Sequence, residues 1–280
     1  MKKISGNIYI VLAYRILLIM FLFTLCRIGF YVFNIMMFPE IKAGQFLHLL
    51  SGGLVFDISA IVYINILFIL SQIVPFDFRY SERYQRVTAW IYYITNATAI
   101  ALNGMDFVYY RFIGKRATAD VFGTFSNEDN LIKLFFRFLA DYWMATLFTI
   151  SLWFIMVWLY RKVRPVRPEV KRRIPYFAFN VIMIPVAIAL VIGAARGGYR
   201  HSTRPITISN AARYVDNPRD VAIVLNTPFS LFRTYGKVSL VRHNFFSEED
   251  LVKEYDPHHV ALHQKPFSNE NVVIIILESF

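Results

Sequence analysis

The sequence is poor in charge and almost devoid of cysteine. Asp, Glu, Lys and Arg make up 18% of its 280 residues, where a soluble domain carries about 25%. Cys26 is the single cysteine and stands in an apolar run, so an intrachain disulfide framework and a cysteine-based zinc site are both excluded. Acidic residues are scarcer than basic ones, 19 against 30, for a formal charge of +11. In a soluble chain that surplus would point to nucleic acid. Here the basic residues cluster in short segments between apolar blocks, which is the signature of membrane topology, so nucleic acid is not an expected partner.

What the chain has is apolar length. Apolar residues make up 56% and aromatics 17%, gathered into long blocks with neither helical nor strand period. A soluble chain of this size buries one or two ordinary cores, which cannot absorb so many uninterrupted runs. Five stretches reach the roughly 20 residues needed to cross a bilayer: 8–38, 47–74, 87–110, 142–160 and 174–194. The first is too long in its apolar body for a cleavable signal peptide and is followed by no small-x-small site. The fold class expected is an all-α polytopic membrane domain of five transmembrane helices over 1–194. No span is expected to have a Gly/Pro break at its middle, which argues against a transporter fragment.

The loops set the orientation. Lys2 and Lys3 precede the first span; Arg79, Arg83 and Arg86 separate the second from the third; seven basic residues from Arg161 to Arg173 crowd between the fourth and fifth. The alternate loops are poorer in base, or balance it with Asp120, Glu128, Asp129 and Asp141. By the positive-inside rule the N-terminus is cytoplasmic, and five spans deliver everything after residue 194 to the outside of a bacterial inner membrane. Within the loop before the fourth span, 131–139 (LIKLFFRFL) reads equally as a helix lying at the outer surface or as an outward extension of the fourth helix.

Residues 195–270 form an extracytoplasmic juxtamembrane connector, opened by Gly197-Gly198 and interrupted by Pro205, Pro218, Pro228 and Pro257. Short helices are expected over 208–215 and 228–235, the latter capped by Asn226 or Thr227, with a turn at 217–220. His258, His259 and His263 invite a metal reading, but Pro257 and the want of a suitably spaced carboxylate favour a solvated connector. Residues 271–277 (NVVIIIL) then form a β-branched run of strand length, followed by Glu278. This reads as a central strand of a parallel sheet, with a carboxylate at its ligand-bearing end.

Asn271 to Phe280 (NVVIIILESF) resembles the entry strand of the alkaline phosphatase and sulfatase superfamily, and its Glu-Ser ending resembles the lipoteichoic acid synthase branch of membrane phosphoglycerol transferases. Residues 53–57 (GLVFD) and 204–215 (RPITISNAARYV) also look like that family's membrane and connector segments. The resemblance implies the first strand of an extracytoplasmic α/β catalytic domain at 271–280, with Glu278 as a ligand to a divalent metal, usually manganese. The implied activity is transfer of a phosphoglycerol- or phosphoethanolamine-type group from a phospholipid headgroup donor through a phosphothreonine. The nucleophile and remaining ligands would follow Phe280, so the chain as written is expected to be catalytically incomplete. The alternatives are a membrane-anchored hydrolase of the same superfamily and a non-enzymatic scaffold or transporter fragment. Membrane lipids are the expected surroundings in every case.

Isolated charges within a span each cost about 2.5–3.5 kcal/mol on insertion scales. Arg27 and Asp57 both lie roughly 15–16 Å from the outer ends of their spans, at 1.5 Å per residue. An interhelical ion pair is therefore expected, and a headgroup pocket built on it is the further possibility. Asn96, Asn103 and Asp106 recur near helical spacing on the third span and are expected to face the bundle interior. Helix-to-helix hydrogen bonding is the favoured role for them over substrate contact. Arg15, near the inner end of its helix, is expected to snorkel to the interface.

Overall fold

The computed structural model describes residues 4–126, 131–169, 172–199, 204–236 and 245–255. They fall into two units, Met1–Lys237 and Val238–Phe280. Of the second unit only 245–255 is described. It holds α11 (Glu248–Glu254), whose N-cap Ser247 accepts from the Asp250 N–H at 3.2 Å. The strand-like run at 271–277, Glu278 and the three connector histidines all lie outside the described residues.

The first unit is a helical bundle with a short sheet at one end. Its long helices are α1 (Ile8–Phe33), α2 (Ala43–Ile64), α4 (Glu82–Ile113), α7 (Trp143–Lys162) and α8 (Arg173–Arg196). Short helices α3 (Ile66–Ile73), α5 (Asp120–Ser126) and α6 (Leu131–Asp141) connect them, and α9 (Val221–Val224) and α10 (Thr227–Thr234) follow. We call the end carrying the α1 N-terminus proximal and the opposite end distal. Helices α1 and α4 run parallel. The Tyr92 hydroxyl donates to the Arg15 carbonyl near the proximal end, and Phe30 packs on Tyr110 at 5.0 Å near the distal one. Helix α7 runs antiparallel to both, with Tyr14 donating to the Leu159 carbonyl at 3.1 Å. The core between them is aromatic and aliphatic, with Phe23, Phe30, Phe56, Phe107 and Tyr92 all essentially sealed.

Four helices, α1, α2, α7 and α8, are long and apolar enough to cross a membrane, which suits a multi-pass membrane protein. The expected third span, now α4, is the longest helix at 32 residues but does not join that set by composition. It carries Asn96, Asn103 and Asp106 inside the bundle and Arg83 and Arg86 on its first turns.

The expected second span is broken. Asn65 leaves helical geometry (φ −97°, ψ 13°) between α2 and α3, and its side chain donates back to the Ile61 carbonyl at 3.0 Å. Pro185 lies inside α8, which still runs as one helix from Arg173 to Arg196, although a proline there removes one i→i−4 hydrogen bond. Helix α8 is the least embedded of the four, with 11% of its apolar stretch buried, so the lost hydrogen bond falls where packing constrains the chain least. The stretch 131–139 falls in α6, a helix of its own, parted from α7 at Tyr142 (φ −109°, ψ 44°).

An element absent from the sequence reading ties the proximal end. Strand β1 (Ile4–Gly6) pairs in parallel with β2 (Val163–Pro165), Ile4 opposite Val163. The chain is therefore at the same end of the bundle before α1 and after α7.

Candidate functional site

The richest cluster of buried polar groups lies in the distal half, where the connector meets the bundle. Arg27 on α1 and Asp57 on α2 form a bidentate ion pair at 2.5 and 2.6 Å, exposed by only 2% and 0%. The guanidinium also donates to three backbone carbonyls: Ile223 at 2.7 Å, Val224 at 3.0 Å and Gly53 at 3.2 Å. Asn226 donates at 2.9 Å to Asp57 Oδ1, the oxygen that also accepts from Arg27 Nη2, while its own oxygen caps α10 through the Phe229 N–H at 2.8 Å.

A second pair repeats the pattern. The chain turns back after Gly114, the left-handed C-cap of α4 (φ +71°), where glycine is the residue that adopts this backbone without strain. The turn drives Arg116 into the bundle. Its Nε donates to the Ala222 carbonyl at 2.7 Å, its guanidinium stacks 3.6 Å over Phe30, and Nη1 reaches Asp106 at 3.4 Å. Asp106 accepts further bonds from the Ala117 N–H at 3.1 Å and the Thr227 hydroxyl at 2.6 Å, and Asn103 accepts from the Thr227 N–H at 3.2 Å. Burial pushes the Arg116 guanidinium down to about 10, against the pull of Asp106, which leaves it charged at neutral pH. Two formal positive charges thus face two negative ones.

The geometry explains the local sequence. A four-residue helix such as α9 leaves its carbonyls without intrahelical partners, and Ala222, Ile223 and Val224 give theirs to Arg27 and Arg116. The small residues beneath are equally constrained. A β-carbon on Gly53 would collide with the Arg27 guanidinium, and one on Gly52 would lie 2.5 Å from the Tyr214 ring. Chemically the layer is closed, because each of its carboxylates and guanidiniums is spent on a neighbour. It is built to hold the connector in place.

Of the residues singled out in the sequence, Arg27, Asp57, Asn103 and Asp106 come together in this layer. Asn96 stands apart, in a reciprocal amide pair with Asn65 at 2.9 and 2.7 Å that closes the break between α2 and α3 onto α4. Sequence reading missed Arg116, Asn65 and the α9 carbonyls. Only Asn226 and Thr227, proposed as caps, hinted that the connector would dock.

The proximal end differs. Arg15 does not snorkel. It is 3% exposed, stacked 3.9 Å over the Tyr160 ring and bonded to Gln85 at 3.4 Å. Arg79, 1% exposed, donates to the Val74 carbonyl, the Tyr80 and Tyr176 hydroxyls and the Asn180 oxygen. Among the described residues neither guanidinium meets a carboxylate. Among those residues Arg15 Nε, Gln72 Nε2, Arg79 Nε and the Tyr160 hydroxyl have no hydrogen-bond partner.

Among the described residues no group of three or more His, Cys, Asp or Glu stands close enough to hold a metal ion. The fold and the sealed layer define a class: a multi-helix bundle suited to a membrane, with a connector plugged into one end by buried charge. Compared with family models, curated proteins and solved structures, the chain matches none.

Proposed function

We propose that this chain is the membrane mount and connector of an extracytoplasmic, divalent-metal-dependent transferase that moves a phospho-alcohol group from a phospholipid headgroup. The observation that supports the reading most directly is the sealed distal layer. A connector in a membrane protein that served only as a tether would have no need of two buried ion pairs. This one fixes residues 221–234 against the bundle, as a mount that must hold a domain near a lipid surface requires. The resemblance of 271–280 to a catalytic entry strand supplies the chemistry, with Glu278 as the metal ligand and manganese as the metal.

The reading counts α4 as a fifth crossing. Pairing of β1 with β2 returns the chain to its starting end after α7, so an even number of passes lies between. In this reading α1, the broken α2–α3 and α7 supply three of them and α4 the fourth. Its polar residues face protein, where a span tolerates them. The basic loops then put the proximal end in the cytoplasm and the connector outside a bacterial inner membrane. In spheroplasts, Lys42→Cys should react with an impermeant maleimide and Arg83→Cys should not; the reverse pattern would overturn the orientation.

The activity is tested with the product of the full open reading frame, reconstituted in liposomes containing headgroup-labelled glycerophospholipid. Manganese-dependent release or transfer of the labelled group, abolished by Glu278→Gln, is the expected result. Labelled lipid left intact at every manganese concentration would sink the enzyme reading and leave the mount without its proposed cargo.

A further inference from the structure

A cavity of about 500 Å³ opens at the proximal end, between the α3–α4 turn and the start of α8. This lies within the usual range of ligand sites, about 300–1,000 Å³. Its apolar walls are Phe76 and Phe177, with ring centroids 6.3 Å apart and each ring about half exposed. Its charged residues are Asp77, Arg167, Glu169 and Arg173. Arg167 is neutralised by Asp77 at 2.5 Å. Arg173 and Glu169 have no ion-pair partner among the described residues.

The wall behind the cavity carries one more charge. Tyr176 lines it, and its hydroxyl is held by Tyr80 at 3.0 Å and by the buried Arg79 at 3.3 Å. Burial and the Tyr176 bond push the Tyr80 phenol up to about 12, so it stays neutral and offers Arg79 no counter-charge. Water screens a buried charge poorly. Three guanidiniums therefore stand against two carboxylates. The formal charge lacks one negative group, beside a pair of rings suited to a hydrocarbon stem.

We propose that this cavity binds the phosphodiester headgroup of one membrane phospholipid, with Arg173 at the phosphate and Phe76 and Phe177 against the glycerol and first acyl carbons. A cationic pocket between helix ends on the cytoplasmic side is the setting in which anionic headgroups are retained. The assignment to the cytoplasmic leaflet rests on the orientation proposed above. The binding does not, nor does it depend on any transferase activity.

The test uses the purified chain in a phosphate-free detergent, with thermal stability read as phosphatidylglycerol, diacylglycerol or glycerol 3-phosphate is added. Phosphatidylglycerol should raise the melting temperature saturably, and diacylglycerol should not. Arg173→Gln should weaken the apparent affinity about fivefold, the equivalent of about 1 kcal/mol for one basic residue at a lipid surface. Glu169→Gln should strengthen it, a gain that a merely structural residue would not give. Arg83→Gln, basic but outside the cavity, should leave it unchanged. Equal stabilisation by diacylglycerol, or equal losses in the Arg173 and Arg83 variants, would overturn the proposal. Glycerol 3-phosphate acting as strongly as the lipid would overturn the assignment to a lipid.

Discussion

The two ends of the bundle bury the same number of arginines and treat them in opposite ways. At the distal end Arg27 and Arg116 face Asp57 and Asp106, and the surplus donors go to the carbonyls of α9. At the proximal end Arg15 and Arg79 face rings, amides and hydroxyls, and four polar atoms keep no partner. Desolvating a guanidinium costs several kcal/mol, so the same residue is a fastener where a carboxylate repays that cost and a standing positive field where none does. The difference separates an end built to be closed from an end left able to bind.

Breaking the distal balance should have the largest effect. Removing one member of a buried pair strands the other and costs about 3–5 kcal/mol. Asp57→Ala and Arg27→Met should each lower the thermal stability of the purified protein by that order, whereas the double variant Arg27→Met/Asp57→Leu should recover much of the loss. A double variant as damaged as the singles would mean that the carbonyl contacts, not the ion pair, hold the layer. Next comes Gly53→Ala, which pushes a methyl group into the Arg27 guanidinium. Overpacking of this kind costs about 1–3 kcal/mol, and limited proteolysis should then cut the connector near 221–234 faster.

Arg15→Met tests the other side of the comparison. With no carboxylate to strand, it should change stability by less than about 1 kcal/mol, since an apolar side chain of similar volume can replace a buried charge at little cost. A loss as large as that of Arg27→Met would erase the contrast between the ends. The smallest effect is expected at the distal rim, where, among the described residues, the Asp220 carboxylate accepts only from Gln45 at 3.2 Å. Burial first, then Asp216 and Glu40, raise its carboxyl above the usual range. A carboxyl raised on folding binds its proton more tightly in the native state, so stability falls as pH climbs through that folded value. Asp220→Asn should therefore melt slightly above the parent at pH 7, and the gain should vanish on acidification toward pH 4.

How much of this was legible in the sequence follows from the regularity of each element. Helical rise is constant, so equal depth brought Arg27 and Asp57 into register from residue counting alone. Side-chain capping is local, so Asn226 could be read at the head of α10. Arg116 could not, because it returns to Asp106 through a turn at Gly114 whose direction is set by docking against residues more than a hundred positions away. In the connector the arginines dock on the backbone carbonyls of α9, which no side-chain pattern reports. Asn65 read as one more residue of a span, since the break there is stabilised by an amide pair with Asn96 on a different helix. Arg15 read as a snorkelling side chain because the tyrosine that receives it lies 145 residues further on.

The short clasp between β1 and β2 sets an order of assembly. Its second strand is made about 160 residues after its first, an interval of about 8–30 s at the usual synthesis rate of about 5–20 residues per second. During that interval Ile4–Gly6 waits without its partner while α1, α2, α4 and α7 are laid down. The clasp can close only after the last of these has emerged, so its closure marks the moment at which the N-terminus is fastened to a finished four-helix core.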